Sequence, residues 1–181
     1  MNVVVADFGA LPDGRMAQAV TMSAGAVRAT ILTLGGILQS LQMPDRDGRC
    51  AEVTLGHDDI AGYLASRNYP GAIIGRTAGR IAGGRISVDG VDHQLSCNEG
   101  TNTLHGGAQG FDRALWRLVS ANVEDGAAVL RLTHQSPAGD EGYPGALTVV
   151  ATYRLDAAGL TLALAATSDA PTHINLTWHP Y

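Results

Sequence analysis

The sequence predicts an all-β fold, an antiparallel β-sandwich formed by one domain over residues 1–181. Apolar and polar residues alternate with a period of two in several segments, which is typical of half-buried strands. Asp-Gly pairs, which favour tight hairpin turns, occur four times. Helical periodicity is absent apart from a short turn predicted near residues 58–64. A chain of 181 residues with 45% hydrophobic residues is large enough to bury such a core.

The strands can be assigned in order along the chain. Alternating runs in the N-terminal half predict strands at 18–23, 26–34, 37–43 and 51–55. Hairpins are predicted at Asp89-Gly90 and Asp125-Gly126, because Asp-Gly tolerates the positive φ of a type I′ turn. The hairpin arms are residues 85–88 with 91–95 and 116–123 with 127–134. The last predicted strands cover 147–155, 160–164 and 173–177.

Composition and charge argue against several classes of partner. The formal net charge is −5 and no run of Lys and Arg is present, so a nucleic-acid partner is not expected. No stretch approaches the roughly 20 apolar residues of a membrane span, and the N-terminus lacks the basic region of a signal peptide. Cys50 and Cys97 have no metal-binding spacing, which favours a reduced intracellular setting. A disulfide between them is the alternative. We expect a soluble cytoplasmic protein that binds a neutral or weakly polar small molecule.

His105 is the first candidate functional residue, because it lies on a glycine-rich loop between two apolar runs. In Thr103-Leu104-His105-Gly106-Gly107 the glycines permit backbone geometry and a close ligand approach that larger residues would block. The alternative is a tight turn with a solvated histidine.

The segment from Asn175 to Tyr181 is the second candidate. It holds an amide, a hydroxyl, two aromatic rings and the imidazole of His179 within seven residues. A sugar stacks its C–H faces on rings such as Trp178 and bonds its hydroxyls to amides such as Asn175. The alternative is an edge strand with an interface tryptophan.

Metal and nucleophile chemistry find little support in the sequence. The other histidines are interpreted as structural or solvated, and no two histidines have His-x-His or His-x-x-x-His spacing, so no metal site is expected. No serine lies in a Gly-x-Ser-x-Gly elbow. Arg76, Arg80 and Arg85 lie among small residues, where their donors could bind hydroxyls or a carboxylate, or where they could form a solvated loop.

Four ordered motifs together resemble the signature of the aldose 1-epimerases, also called galactose mutarotases. They are Gly-Arg-Thr-Ala-Gly-Arg-Ile-Ala at 75–82, Asn-Thr-Leu-His-Gly-Gly at 102–107 with Gly-Phe-Asp at 110–112 and Trp116, Glu-Gly-Tyr-Pro-Gly at 141–145, and Asn-Leu-Thr-Trp-His-Pro-Tyr at 175–181.

This resemblance implies a large β-sandwich that interconverts the α and β anomers of a hexose without a cofactor. It implies that Arg80 contacts sugar hydroxyls and that His105 and His179 lie beside the ring oxygen as acid or hydrogen-bond donor. Imidazole suits this reaction because a group that titrates near neutrality can move a proton in both directions. Asn175 and Trp178 are the further expected substrate contacts.

The sequence departs from the family pattern in two respects. Gly79 stands where the family usually has a sugar-binding asparagine. The chain also has about half the family's length and corresponds to its N-terminal half, so the glutamate that serves as general base is expected to lie outside it. Glu141 is expected to be structural, and Glu99 has no predicted partner. We expect weak or no activity from this chain alone, and self-association through unpaired strand edges.

Two alternatives to an epimerase are consistent with the same residues. One is a non-catalytic carbohydrate-binding module that kept the cleft but lost the base. The other is a relative acting on hexose 6-phosphates, for which Arg76, Arg80 and Arg85 would form a cationic cleft.

Overall fold

The computed structural model describes residues 1–181, and nearly all of its regular structure is β. The predicted all-β class is confirmed. Five consecutive strands form the first antiparallel sheet, in which each strand pairs with the next along the chain. They are β1 (Asn2–Ala10), β2 (Met16–Ala24), β3 (Val27–Leu32), β4 (Leu38–Pro44) and β5 (Cys50–Glu52).

A second antiparallel sheet follows later in the chain, again with neighbouring strands paired in sequence order. It contains β11 (Arg117–Glu124), β12 (Ala127–Ser136), β13 (Leu147–Asp156) and β14 (Gly159–Ser168). The hairpin predicted at Asp125-Gly126 joins β11 to β12, and both turn residues have positive φ, 45° and 69°. Local turn chemistry therefore determines this connection, as predicted.

Short elements connect and flank the two sheets. The helix α1 (Ile60–Ala65) is capped by Asp59, whose side chain accepts a hydrogen bond from Gly62 N. The hairpin β8 (Arg85–Val88) and β9 (Val91–Gln94) forms around Asp89-Gly90 as predicted. The remaining strands pair two by two, β7 (Arg80–Ile81) with β10 (Thr103–Leu104) and β6 (Ile73–Ile74) with β15 (Thr177–Trp178).

The two sheets pack face to face on a common core. Alternate residues of β13, from Leu147 to Leu155, are fully buried and meet Val20, Met22 and Ile31 of the first sheet. This period-two burial is the pattern that the sequence predicted for a sandwich. The core carries the loops that place the candidate site residues.

Two strand predictions were wrong or incomplete. The strand predicted at 173–177 is instead an isolated bridge between Asn175 and Thr77, followed by the two-residue strand β15, because residues 171–174 have no ladder partner. The nine-residue strand β1 was missed, because most of its side chains are exposed and show no clear alternation. Its position depends on pairing with β2, a tertiary effect.

Cys50 and Cys97 are both exposed and are not joined in a disulfide. No helix in the structure is long and apolar enough to cross a membrane.

The outer edge of β14 leads to a prediction about self-association. β14 pairs only with β13, and its ten residues include no charge and no proline, the usual protection of an edge strand. We expect the mass measured by light scattering to rise with protein concentration. Placing a charge on the exposed face, as in Ala163→Lys, should reduce this association. A mass that stays monomeric across the whole concentration range would contradict the expectation.

Candidate active site

The pairing of β7 with β10 places His105 directly beside Gly79. The His105 N–H donates to Gly79 O at 3.0 Å, and the Gly79 N–H donates to His105 Nδ1 at 3.1 Å. Because Nδ1 accepts a hydrogen bond, the neutral imidazole carries its proton on Nε2. His105 therefore presents an N–H donor away from the strand.

The glycines after His105 are required by close packing. A Cβ on Gly106 would lie 1.8 Å from Gly75 O, and a Cβ on Gly107 would lie 2.1 Å from the Glu141 carboxylate. Both glycines also have positive φ, 92° and 109°. The glycine-rich sequence therefore lets the histidine loop approach the neighbouring strand and Glu141.

Glu141 holds the far end of the same loop. Its carboxylate accepts hydrogen bonds from Ala108 N at 2.8 Å and Gln109 N at 3.1 Å. This engagement agrees with the structural role predicted for Glu141, and it leaves that carboxylate bonded to backbone amides.

His179 reaches the site from the opposite end of the chain. Its backbone bonds to Ala72 O and Gly71 N, both at 2.9 Å, which continues the pairing of β15 with β6. The centroids of the His105 and His179 rings are 5.3 Å apart, and the ring planes are at 82°. The structure thus brings together two imidazoles that are 74 positions apart in the sequence.

Tyr69 and Tyr181 complete an aromatic cluster around the imidazole pair. The Tyr69 ring centroid lies 4.8 Å from that of His105 and 6.1 Å from that of His179. Tyr181 lies 5.0 Å from His179 by the same measure. The sequence did not single out Tyr69, and its position before Pro70-Gly71 gives only a turn signal.

Burial and neighbouring charge favour the neutral form of His105. Partial burial lowers the pKa of its imidazole, and the nearby His179 and Arg80 lower it further. A neutral His105 with its proton on Nε2 is suited to donate a hydrogen bond to a hydroxyl or ring oxygen.

Arg80 is exposed at the edge of the site and is paired with Glu99. Arg80 Nε and Nη2 each lie 2.6 Å from a Glu99 carboxylate oxygen, a bidentate arrangement. The pair holds the guanidinium in one direction, and the structure thus supplies the partner that the sequence did not assign to Glu99. Sugar contact by Arg80 stays a prediction.

Asn175 and Trp178 occupy different environments. Asn175 is exposed, and its backbone bonds to Arg76 O at 3.0 Å and Ala78 N at 2.8 Å, so it lies beside the segment that leads into Gly79. The Trp178 indole N–H donates to Gly71 O at 2.9 Å, and its ring packs edge-on against buried Tyr153. Trp178 is therefore held by packing and by a bond to the backbone. Substrate contact by Asn175 or Trp178 stays a prediction.

Arg76, Arg80 and Arg85 do not form a common cationic surface. Arg76 is only 2% exposed, and its guanidinium bonds to four backbone carbonyls and two hydroxyls. Burial lowers its pKa, and no carboxylate is within ion-pair distance. Arg76 therefore stabilises the fold and cannot contact a ligand in a cleft.

A cleft of about 940 Å³ opens beside the histidine loop. Its wall near the site includes Tyr69, Asn98, Glu99, Leu104 and Gly107, whereas the two imidazole rings do not line it. Polar and apolar side chains share its surface. No group of three or more His, Cys, Asp or Glu side chains in the structure could hold a metal ion.

Asp112 lies in the wall of this cleft and is 8% exposed. Burial raises the pKa of its carboxyl from 3.8 to about 6, although Arg113 Nε lies 3.1 Å away and opposes the shift. As pH falls, the folded chain therefore takes up a proton at Asp112 before the unfolded chain does.

This shift predicts a pH dependence of stability. Burial of Asp112 should cost the folded parent chain more stability as pH rises from about 4 to about 6, because in that range the folded chain still holds a proton that the unfolded chain has released. Asp112→Asn should remove this cost, so its unfolding free energy relative to the parent should increase by about 2–3 kcal/mol over the same range. Urea titrations of both proteins at several pH values measure this difference. If the difference in unfolding free energy between the two proteins did not change with pH, the buried Asp112 carboxyl would not be the source of that difference.

The chain is similar to known proteins in both sequence and structure. A sequence model of the family described as aldose 1-epimerase matches residues 18–181. The chain belongs to the aldose 1-epimerase family. The galactose mutarotase of Bos taurus is 39% identical over 184 residues, which cover 100% of this chain and 52% of the relative. The aldose 1-epimerase of Escherichia coli K12 is 38% identical over 173 residues, which cover 94% of this chain and 49% of the relative.

Solved structures of aldose 1-epimerase relatives share the fold. A galactose 1-epimerase from Lactobacillus acidophilus superimposes with a TM-score of 0.86 at 29% identity, covering 99% of this chain and 52% of the relative. An aldose epimerase homologue from C. elegans gives 0.84 at 28% identity, covering 91% of this chain and 50% of the relative. The chain spans about half the length of the relatives it matches, as the motifs predicted.

Proposed function

We propose that this chain supplies the paired imidazoles of a site that interconverts the α and β anomers of a hexose such as glucose or galactose. The observation that carries the proposal is the contact between His105 and His179, in which the proton of neutral His105 is directed to Nε2. The names of the relatives, galactose mutarotase and aldose 1-epimerase, support the same reaction.

The reaction requires a proton to reach the ring oxygen while the anomeric hydroxyl loses one. Protonation breaks the bond between the ring oxygen and the anomeric carbon, and the open aldehyde closes again on either face. In our proposal His179, in its protonated form, delivers the proton to the ring oxygen, and His105 Nε2–H donates a hydrogen bond to the sugar. During ring closure the step reverses, and His179 takes the proton back from the hydroxyl that re-forms the ring.

The carboxylates near the imidazole pair are already engaged. Glu99 is paired with Arg80, Glu141 accepts two backbone amides, and buried Asp112 adjoins Arg113. None of them is free to remove the anomeric proton, so in our proposal that proton passes to a base outside these residues. We propose that this chain alone is weakly active or inactive, with a rate deficit of about 10²–10⁴-fold, the usual contribution of one acid–base group.

Polarimetry of freshly dissolved α-D-galactose and α-D-glucose tests the proposal. The first sample is the 181-residue chain. The second is a chimera in which this chain replaces the matching half of Escherichia coli aldose 1-epimerase, to which it is 38% identical. We expect a rate near that of buffer for the chain and a clear acceleration for a folded chimera. A folded chimera with no acceleration would contradict the assignment of function.

A non-catalytic carbohydrate-binding module is the second candidate, because the aromatic cluster is present without a free carboxylate. Calorimetric titration of the chain with hexoses separates the two, since a module would bind without turnover in either sample. The hexose 6-phosphate alternative loses support, because buried Arg76 cannot form part of a cationic cleft.

A further inference from the structure

Asn98 makes three hydrogen bonds to the loop that carries His105. Its Nδ2 donates to Leu104 O at 2.9 Å and to Gly107 O at 3.0 Å, and its Oδ1 accepts from Leu104 N at 2.7 Å. All three bonds involve residues that flank His105 in sequence. One amide side chain therefore joins the two ends of the turn that presents the imidazole.

The His105 turn needs such a brace because its backbone is strained. His105, Gly106 and Gly107 have φ values of 53°, 92° and 109°, and a positive φ is unfavourable for a residue with a side chain such as His105. Glu141 binds the loop only beyond the turn, at Ala108 and Gln109. Asn98 is thus the side chain that bonds on both sides of His105.

The residue after Asn98 orients the other polar group of the site. Glu99 forms the bidentate pair with Arg80, and its backbone is held by reciprocal hydrogen bonds with Asn102 at 3.1 and 3.0 Å. Thr103 Oγ1 also donates to Ser96 O at 2.8 Å, which closes the same loop. Two adjacent side chains of one closed loop therefore hold His105 and Arg80 in a fixed relation.

We propose that Asn98 is a positioning residue for His105: it holds the turn so that Gly79 N–H reaches Nδ1 and the Nε2 proton points to the sugar. The expected effect of Asn98 on catalysis rests on the proposed function, whereas its effect on the His105 turn does not. Without Asn98, the turn can relax toward an unstrained φ, and the bond from Gly79 to Nδ1 is lost. The neutral imidazole then divides between its two tautomers.

Nitrogen-15 NMR of the imidazoles in the 181-residue chain measures this directly, at about pH 8, where histidine is neutral. In the parent, His105 should be mainly the Nε2–H tautomer. Asn98→Ala should give a mixture at His105 and leave His179 unchanged. Asn98→Asp, which has the same shape and keeps the acceptor for Leu104 N but loses both donors, should give an intermediate mixture and provides the test if Asn98→Ala does not fold.

Gln94→Ala is the matched control, because Gln94 Nε2 bonds to the backbone carbonyls of Gly83, Gly84 and Leu95, away from the histidine turn. It should leave the His105 tautomer as in the parent. In the chimera, Asn98→Ala should lower kcat by about 10²-fold with a much smaller change in KM. A parental His105 tautomer in folded Asn98→Ala or Asn98→Asp would overturn the proposal. If the His105 tautomer shifts in Asn98→Ala but the unsubstituted chimera is inactive, the positioning role would be supported and the proposed function contradicted.

Discussion

Replacing Arg76 with methionine is expected to lower the free energy of unfolding by about 3–5 kcal/mol, because it removes a buried cation that satisfies several buried acceptors. The guanidinium donates to the carbonyls of Ser136, Pro137, Pro144 and Gly145 at 2.8–3.0 Å. Methionine fills similar space but donates to none of them. Urea unfolding followed by tryptophan fluorescence measures the change.

Two further variants separate the contribution of the Arg76 donor geometry to stability from the contributions of its charge and size. Arg76→Lys keeps the charge but lacks the planar fork, so its loss should be intermediate. Arg117→Met removes an exposed arginine of β11 and should change stability by no more than about 0.5 kcal/mol. If Arg76→Met were as stable as Arg117→Met, the carbonyl contacts would not contribute as proposed.

Replacing His105 with alanine in the chimera is expected to reduce the rate of anomer interconversion by about 10²–10⁴-fold. The reason is the loss of the Nε2–H donor beside His179 while the backbone bond from His105 N–H to Gly79 O can persist. His179→Ala should have an effect of the same order. The rates are measured by polarimetry, and circular dichroism checks that each variant is folded.

The control for both variants is His173→Ala, because His173 is exposed and lies outside the aromatic cluster. Its rate should match that of the unsubstituted chimera. An undiminished rate in folded His105→Ala or His179→Ala would remove that histidine from the mechanism.

Local signals in the sequence predicted much of the architecture. Asp89-Gly90 and Asp125-Gly126 form the expected hairpins, because turn type depends on the two residues themselves. The alternation in β13 predicted its buried face, because strand geometry repeats every two residues. The motif resemblance selected His105 and His179, and the structure brings their rings together, while their catalytic role stays a prediction.

The features that the sequence could not predict depend on how the loops fold against other segments of the chain. Asn98 lies in a loop whose composition indicates only a turn, and its bonds to Leu104 and Gly107 exist only because that loop closes on the histidine turn. The Tyr69 ring lies next to both imidazole rings, although Tyr69 is far from both histidines in the sequence. Likewise, nothing in the arginine-containing motif distinguishes buried Arg76 from exposed Arg80, because their burial depends on the later loops at 136–145.

The central claim is that His179 and His105 together supply the proton and the hydrogen-bond donor that open the ring of a hexose. The most direct test is the rate at which fresh α-D-galactose mutarotates in the folded chimera, compared with the chimera that lacks both imidazoles. The account predicts a clear acceleration over buffer that the double variant His105→Ala/His179→Ala abolishes and His173→Ala preserves. A folded chimera that fails to accelerate the reaction, or one that keeps its rate without both imidazoles, would contradict the account.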